Sequence, residues 1–243
     1  MNQFSISIPK QQELSQDREF FLLEEGGEAR KIRLQDYDKI FSVPGLYEQL
    51  LLESLEYASP KVMQNAFDFI CKEYSVSTSN MSVLEIGPGN GVVGEMLRKV
   101  KVSYLVGIDI SEIACTSAAR DRPNVYDDYI VSDLSQQNIE KLSQIRAHGK
   151  FGFIVAVASL GFSDASIAVF QNSLSFLKPG GFVGICIKEE FLFLNNNTGF
   201  GDFLRVLCEQ ELFIEVFRER YVHRLSTAGQ PIYYIALFLR GKT

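Results

Sequence analysis

The 243-residue chain has little cysteine, and its cysteines are not spaced for a metal site. The four of them, with no C-x-x-C pair, are Cys71, Cys115, Cys186 and Cys208. Because the sequence also has no secretory signal, we expect a reducing, cytoplasmic location without a disulfide framework or a zinc site. No apolar run is long enough to span a bilayer, so no membrane association is expected.

Long basic runs are absent as well. The chain has 24 Lys and Arg against 30 Asp and Glu, which gives a formal net charge of −6. Binding to nucleic-acid phosphates favours clustered positive charge, so this balance argues against a tRNA, rRNA or DNA substrate. A hydrophobic content of 46% is enough for a sizeable buried core, either as one domain or as a core with a small appendage.

The most informative stretch is Val-Leu-Glu-Ile-Gly-Pro-Gly-Asn-Gly at residues 83–91. A short apolar run bounded by glycines is typical of a buried parallel strand that enters a turn. Gly87, Gly89 and Gly91 permit positive φ and, without Cβ atoms, let a ligand lie against the backbone. Apolar residues at helical spacing follow the turn. Strand, glycine-rich loop and helix together are the layout of a nucleotide-type cofactor site.

Two classes of cofactor compete for this loop. The residues from Gly89 to Gly94 are a literal match to the dinucleotide pattern G-x-G-x-x-G, and Asp109 follows about 20 residues later, as that pattern expects. In a dinucleotide site, however, the strand runs directly into the first glycine of the triplet. Here we expect the strand to end at Gly87, and Pro88 intervenes, so the register disfavours NAD or FAD.

The stretch Glu85-x-Gly87-x-Gly89-x-Gly91 instead resembles the first motif of the class I S-adenosyl-L-methionine (SAM)-dependent methyltransferases. Segments that resemble the later motifs of that family follow in order at 104–111, 131–134, 153–160 and 177–181. The resemblance implies an α/β, Rossmann-like fold: a seven-stranded, mostly parallel sheet with an antiparallel last strand and helices on both faces. It also implies SAM as cofactor and S-adenosyl-L-homocysteine (SAH) as product.

By the same resemblance, Asp109 would hold the ribose hydroxyls of SAM. The other residues that we expect to border the cofactor are Glu85, Gly87, Pro88, Gly89, Gly91, Ile110, Ser132, Asp133, Leu134, Ala158 and Ser159. The three acidic residues of this set could each have a structural role instead. Asp109 could cap the helix that opens near Ser111, Asp133 could cap a following helix, and Glu85 could be hydrogen-bonded to amides of the loop.

The order of elements gives a separate argument about the fold. From residue 80 onward strands and helices alternate, which predicts a parallel sheet covered on both faces. Two strands at 212–222 and 231–240 then follow each other without a helix, so they can pair only antiparallel. We predict a SAM-binding domain over 59–243, opened by a helix at Ser59, and an N-terminal helical or irregular lid segment over 1–58. Residues 1–30 read as irregular.

Methyl transfer is a displacement at a sulfonium, so holding donor and acceptor in line can supply much of the acceleration. We expect a small-molecule acceptor that is methylated at O, N or C. Tyr37 and Glu189 are the candidates for a general base, since we expect His148 to be a surface-loop residue and His223 to be solvated. The chain is expected to act as a monomer or homodimer.

Residues 158–163, after the fourth strand of the predicted sheet, contain no carboxylate, so no metal is expected. They also lack the Asn-Pro-Pro-aromatic signature of enzymes that methylate amide or base nitrogens. Leu160 and Phe162 are candidates for the walls of an apolar pocket, or for core. A catalytically silent protein that binds SAM or SAH, or serves as a partner subunit, is the alternative function, and methylation of a protein or RNA is disfavoured by charge.

Overall fold

A computed structural model describes residues 4–9, 14–136, 139–161 and 166–242. The chain divides into two compact units. The first comprises Met1–Ala58 with Val222–Tyr233, and the second comprises Ser59–Tyr221 with Tyr234–Thr243. No helix in the described ranges is long and apolar enough to cross a membrane.

The first unit contains a three-stranded antiparallel sheet made of β1 (Phe4–Ser7), β2 (Phe20–Glu25) and β3 (Glu28–Arg33). The prediction that residues 1–30 are irregular was therefore wrong. The two apolar islands of that region are the strands β1 and β2, and Gly26–Gly27, both at positive φ, make the turn between β2 and β3.

Two short helical segments follow in the first unit, α1 (Tyr37–Phe41) and a π-type segment at Glu48–Ser54. They contribute to an apolar core whose fully or almost fully buried members include Phe21, Leu23, Ile32, Ile40, Leu46 and Leu50. In this core, apolar side chains of β2 and β3 share one cluster with those of the helical segments.

The second unit is built on alternating helices and strands. The helices are α2 (Ser59–Glu73), α3 (Val92–Lys99), α4 (Glu112–Asp121), α5 (Ile139–Ala147), α6 (Ile167–Leu174) and α7 (Phe200–Glu209). The strands are β4 (Ser82–Ile86), β5 (Tyr104–Asp109), β6 (Asp128–Val131), β7 (Phe151–Val157), β8 (Leu177–Lys188), β9 (Phe213–Leu225) and β10 (Pro231–Gly241). The end of β9, the turn after it and the start of β10 belong to the first unit.

These seven strands form one sheet in the order β6-β5-β4-β7-β8-β10-β9. Neighbours from β6 to β8 pair parallel, and β10 pairs antiparallel with β8. The predicted seven-stranded sheet with its antiparallel last strand is confirmed. The chain order reverses between β4 and β7, and ligands of open α/β sheets bind beyond the strand ends at such a switch point.

Both faces of the sheet are buried, which explains the nearly continuous apolar runs of its central strands. On one face Ile154 shares a large apolar cluster with Phe170 of α6 and Phe200 of α7. On the other face the ring centroid of Phe153 lies 4.7 Å from the ring centroid of Phe67 in α2. The central strands are thereby held between two helical layers.

Candidate functional site

The glycine-rich loop leaves β4 at the carboxyl edge of the sheet. Gly87, Gly89 and Gly91 all adopt positive φ, at 66°, 55° and 87°. A Cβ at Gly87 would collide with the side chain of Ser159, which follows β7. The loop is anchored on both sides, because the Gly87 N–H donates to Ile108 O at 2.8 Å and Ser159 Oγ donates to Ile86 O at 2.8 Å. At its first turn the loop therefore has space for glycine and for no larger residue.

Asp109, at the end of β5, is bound to this loop. Its Oδ2 accepts from Gly89 N at 3.0 Å and its Oδ1 accepts from Ser111 N at 3.0 Å. Burial raises the pKa of Asp109, although the N–H groups of Ser111 and Gly89 oppose the shift. Ser111 itself is the N-cap of α4, since its Oγ accepts from Ala114 N at 3.0 Å. Asp109 thus fixes the turn before α4 and the cofactor loop together, and its ribose role stays a prediction.

Glu85, inside β4, is 1% exposed. The hydrogen bond that holds its carboxyl comes from the Tyr126 hydroxyl at 2.9 Å, where the sequence had suggested amides of the loop. Burial raises the pKa of Glu85 to about 8, the Tyr126 hydrogen bond opposes that shift, and the charge of Asp109 adds to it. At neutral pH this carboxyl is therefore mostly protonated.

Three further side chains reach the loop, two from the segment that joins α4 to β6 and one from β6 itself, and the motifs did not predict them. Tyr126 bonds Glu85, Tyr129 donates from its hydroxyl to Gly89 O at 2.8 Å, and Arg122 Nη1 donates to Asn90 O at 3.1 Å. Two other glycines in the sequence indicate, though only weakly, that a bulky side chain lies close to this part of the sheet.

Those glycines are Gly94 and Gly107, and Tyr126 occupies the space beside both. A Cβ at Gly94 would lie 2.5 Å from the Tyr126 hydroxyl oxygen, and one at Gly107 would lie 3.1 Å from its ring. A glycine inside a strand, as at Gly107, often marks the close approach of another group. Read that way, Gly107 indicates a bulky neighbour, but not which residue it is.

The end of β6 carries the residues expected to border adenine. Ser132 N donates to Asp109 O at 2.8 Å. Asp133 holds its own turn, accepting from Ser135 N at 2.8 Å, and hydrogen bonds with Ser135 lower its pKa. The Leu134 side chain is buried in the core and its carbonyl accepts from Asn172 at 2.6 Å, which leaves its N–H for any ligand contact. Ile110, in contrast, is 53% exposed. The adenine roles stay predictions.

The residues that follow β7 begin with a strained position. Ala158 has φ of 55°, and its N–H donates to Cys186 O at 2.8 Å, while Ser159 bonds Ile86 as described. Leu160 is buried in the core of the second unit. Phe162 lies outside the described residues.

The two candidate bases differ in their surroundings. Glu189, just beyond β8, accepts two hydrogen bonds from Arg220, at 2.8 and 3.0 Å, and this contact lowers its pKa. A carboxylate so paired is a weak base at neutral pH. Tyr37 lies at the start of α1 in the first unit, with its ring stacked on Phe41 at a centroid distance of 5.8 Å. Its role as a base stays a prediction.

The two histidines differ: His148 lies in a turn with intermediate burial, as a loop residue should, whereas His223 is buried, contrary to expectation. His148 is at the amino edge of the sheet, where Nδ1 lies 2.5 Å from the Tyr104 hydroxyl and Nε2 lies 2.9 Å from Asp128. His223 is 5% exposed, and burial lowers its pKa. The charged residues around His223 in sequence suggested solvation, but the end of β9 folds as part of the first unit, with the His223 ring packed on Tyr57.

Comparison with known proteins gives one family match. A family described as "Methyltransferase domain" matches residues 51–225. That range includes the glycine loop, the strands β4 to β8 and all of β9. No curated protein matches the sequence.

Solved structures share the fold at low sequence identity. The N-methyltransferase NodS from Bradyrhizobium japonicum, in complex with SAH, has a TM-score of 0.56 and 16% identity, over 86% of this chain and 98% of that one. An S-adenosylmethionine-dependent methyltransferase from Clostridium acetobutylicum has a TM-score of 0.56 and 13% identity, over 82% and 97%. A putative RNA methyltransferase from Pyrococcus horikoshii has a TM-score of 0.55 and 10% identity, over 77% and 87%. Likeness at this level concerns the fold and not the acceptor.

Proposed function

The chain belongs to the class I SAM-dependent methyltransferases, and we propose that it transfers the methyl group of SAM to a small-molecule acceptor at an O, N or C nucleophile. The observation that carries the proposal is the contact between Gly89 N and the Asp109 carboxylate, at 3.0 Å. This hydrogen bond joins the glycine loop, which has no side chains at its glycines, to the acidic residue at the end of β5. SAM has a ribose diol and a zwitterionic tail but no phosphate, which suits a carboxylate at this place.

The residues present fit the cofactor. At Gly87 a Cβ has no room, so the backbone itself forms the surface of the loop. Ile110 leaves an apolar side chain 53% exposed at the end of β5, which is suited to cover one face of an adenine ring. We assign the ribose hydroxyls to Asp109 and the adenine edge to Ser132, Asp133 and the backbone of Leu134.

When bound, SAM supplies an electrophilic methyl group on a sulfonium. The loop residues Gly87 to Gly91 and Asp109 hold that donor in place, and Ala158 and Ser159 border it from the end of β7. The acceptor must then be held in line with the donor and in close contact, with water excluded. Glu189 remains a proposed base, though a weak one because of its Arg220 pair. Acceptors that are already nucleophilic need no base.

A small-molecule acceptor is favoured by the net charge of −6 without a basic run, since nucleic-acid binding relies on clustered positive charge. The second candidate is a catalytically silent protein that binds SAM or SAH. It is favoured by the pairing of polar side chains beyond β7 and β8: Ser159 bonds Ile86, and Glu189 bonds Arg220. Methylation of a protein or RNA is less favoured.

Calorimetry and labelled turnover separate these functions. We expect SAM and SAH to bind with micromolar affinity, roughly −8 kcal/mol, and NAD not to bind. Binding of NAD without SAM would contradict the cofactor assignment for this chain. Incubation with methyl-labelled SAM and separate metabolite, protein and RNA fractions should label the metabolites. Tight SAM binding with no label in any fraction would favour the silent alternative.

A further inference from the structure

Tyr129 contacts the glycine loop beside the proposed ribose site. Its hydroxyl donates to Gly89 O at 2.8 Å, and the N–H of the same Gly89 donates to Asp109 Oδ2 at 3.0 Å. Its ring packs edge-to-face against Tyr126 at a centroid distance of 5.3 Å, so the side chain is held from both ends. In the sheet, Tyr129 is in register with Gly107 of β5, two residues before Asp109.

We propose that Tyr129 is a positioning residue for the cofactor, whose hydroxyl holds the Gly89 backbone, and through the Gly89 N–H the Asp109 carboxylate, in the arrangement that receives the ribose. This inference rests on the proposed function, since it takes Asp109 as the ribose ligand. No motif quoted above includes residue 129.

The hydrogen bonds of Gly89 explain why a tyrosine suits this role. Gly89 donates its N–H to Asp109 Oδ2, and its carbonyl accepts from the Tyr129 hydroxyl. Asp109 Oδ1 accepts from Ser111 N. An ionised carboxylate offers about four acceptor sites, so Asp109 can still accept from ligand hydroxyls while Tyr129 keeps its bond to Gly89.

The loop in this way keeps its side-chain donor both with and without the ligand. Without the Tyr129 hydroxyl, the Gly89 backbone that bonds Asp109 loses a restraint, and the ligand has to order the loop as it binds. Ordering on binding reduces affinity, whereas a pre-organised site avoids that cost. The expected consequence of losing the hydroxyl is weaker cofactor binding in a protein that still folds.

The test is SAH binding, measured by calorimetry, to the wild type, Tyr129→Phe and the matched control Tyr104→Phe. The Tyr104 hydroxyl also takes part in a side-chain hydrogen bond, to His148 at 2.5 Å, but at the amino edge of the sheet. We expect about 10-fold weaker binding for Tyr129→Phe, the size of one net hydrogen bond, and a change of less than about 2-fold for Tyr104→Phe. Melting temperatures check that both variants fold.

A double-mutant cycle with Asp109→Ala tests whether Tyr129 acts through the carboxylate. We expect Tyr129→Phe to weaken SAH binding much less on the Asp109→Ala background than on the wild type. An equal effect on both backgrounds, or wild-type affinity in Tyr129→Phe, would overturn the assignment. So would an equal loss in Tyr104→Phe, which would indicate a general loss of stability. If the wild type itself fails to bind SAH, the proposed function fails before any variant is compared.

Discussion

Two carboxylates near the carboxyl edge of the seven-stranded sheet, Glu85 and Asp109, differ in their partners from the acidic side chains at the amino edge. At the amino edge, acidic side chains meet basic ones: Asp127 pairs with Arg98 at 2.7 Å, and Asp128 lies 2.9 Å from His148. The partners described for Glu85 and Asp109 are neutral donors, namely a tyrosine hydroxyl and backbone N–H groups. Burial accordingly raises the pKa of both Glu85 and Asp109.

This difference indicates where the fold keeps polar groups for a ligand. A buried carboxyl without a cationic partner is unfavourable, and groups with pKa values perturbed in this way concentrate at functional sites. The glycines show the same contrast, since Gly87 at the carboxyl edge has no space for a Cβ, whereas Gly149 at the amino edge has no atom within 4 Å of one.

The largest effect is expected for Gly87→Ala, with Gly149→Ala as its control. Both residues have positive φ, 66° and 80°, so alanine at either position costs about 1–2 kcal/mol of stability. At Gly87 the added methyl also collides with Ser159, and relieving such overpacking costs about 1–3 kcal/mol more. We expect SAH affinity to fall about 100-fold for Gly87→Ala and to stay unchanged for Gly149→Ala.

Calorimetry gives the affinities of these two variants, and urea denaturation gives their free energies of unfolding. Equal affinities would remove the distinction between the two edges. Unequal affinities, with a loss of stability in both variants and the larger loss in Gly87→Ala, are the outcome that supports it.

The second prediction concerns the pH dependence of stability. The pKa of Glu85 is raised by burial to about 8, from 4.5. Between these two values the unfolded chain has lost the proton and the folded chain retains it. The stabilisation is therefore complete below about pH 4.5 and is lost as the pH rises through about 8. Glu85→Gln, which is neutral at every pH, should remove this decline.

The difference between wild type and Glu85→Gln should reach a few kcal/mol, on the order of 1.4 kcal/mol for each pKa unit. Free energies of unfolding measured by urea from pH 5 to 9 provide the check. Parallel pH profiles for the two proteins would mean that Glu85 is ionised in the folded state, and the carboxyl edge would then resemble the amino edge.

The parallel part of the fold could be predicted because each feature there is local in sequence. The glycine loop follows its strand directly, and Asp109 ends the next strand. The hairpin at the C-terminus was also readable, since no helix separates its strands. The first unit was harder, because β1 has only four residues and its partner β2 lies beyond a polar stretch. Its pairing depends on contacts that local patterns do not encode.

The same limit explains what was missed in the site. Tyr126 and Tyr129 lie about 40 residues from the loop that they contact, and no spacing rule connects them. His223 was misjudged for a related reason. Its sequence neighbours are charged, but Arg224 is itself buried in an ion pair with Glu19, more than 200 residues away in the chain. Charge in sequence indicates solvent exposure only where no distant partner exists.

The third prediction compares Asp109→Ala with Asp128→Ala. Loss of Asp109 removes the acceptor that we assign to the ribose hydroxyls, and an unpaired buried polar group costs about 1–3 kcal/mol, so SAH affinity should fall accordingly. Loss of Asp128 removes a bond to His148 at the amino edge and should lower the melting temperature without changing SAH affinity. Calorimetry and thermal denaturation of both variants provide the comparison. If Asp109→Ala binds SAH with unchanged affinity, the role of Asp109 is limited to fixing the turn before α4.

The smallest effect is expected for Glu189→Gln, matched with Glu211→Gln. Both glutamates form ion pairs at the surface, with Arg220 at 2.8 Å and with Lys242 at 2.6 Å, and solvent and salt screening leave such pairs little effect on stability. Only Glu189 lies beyond a strand of the carboxyl edge. Because Arg220 lowers its pKa, Glu189 can assist proton removal only weakly, and we expect turnover of labelled SAM to fall about 3-fold, against no change for Glu211→Gln. Wild-type turnover in Glu189→Gln would exclude this residue as the base and favour an acceptor that is nucleophilic without one.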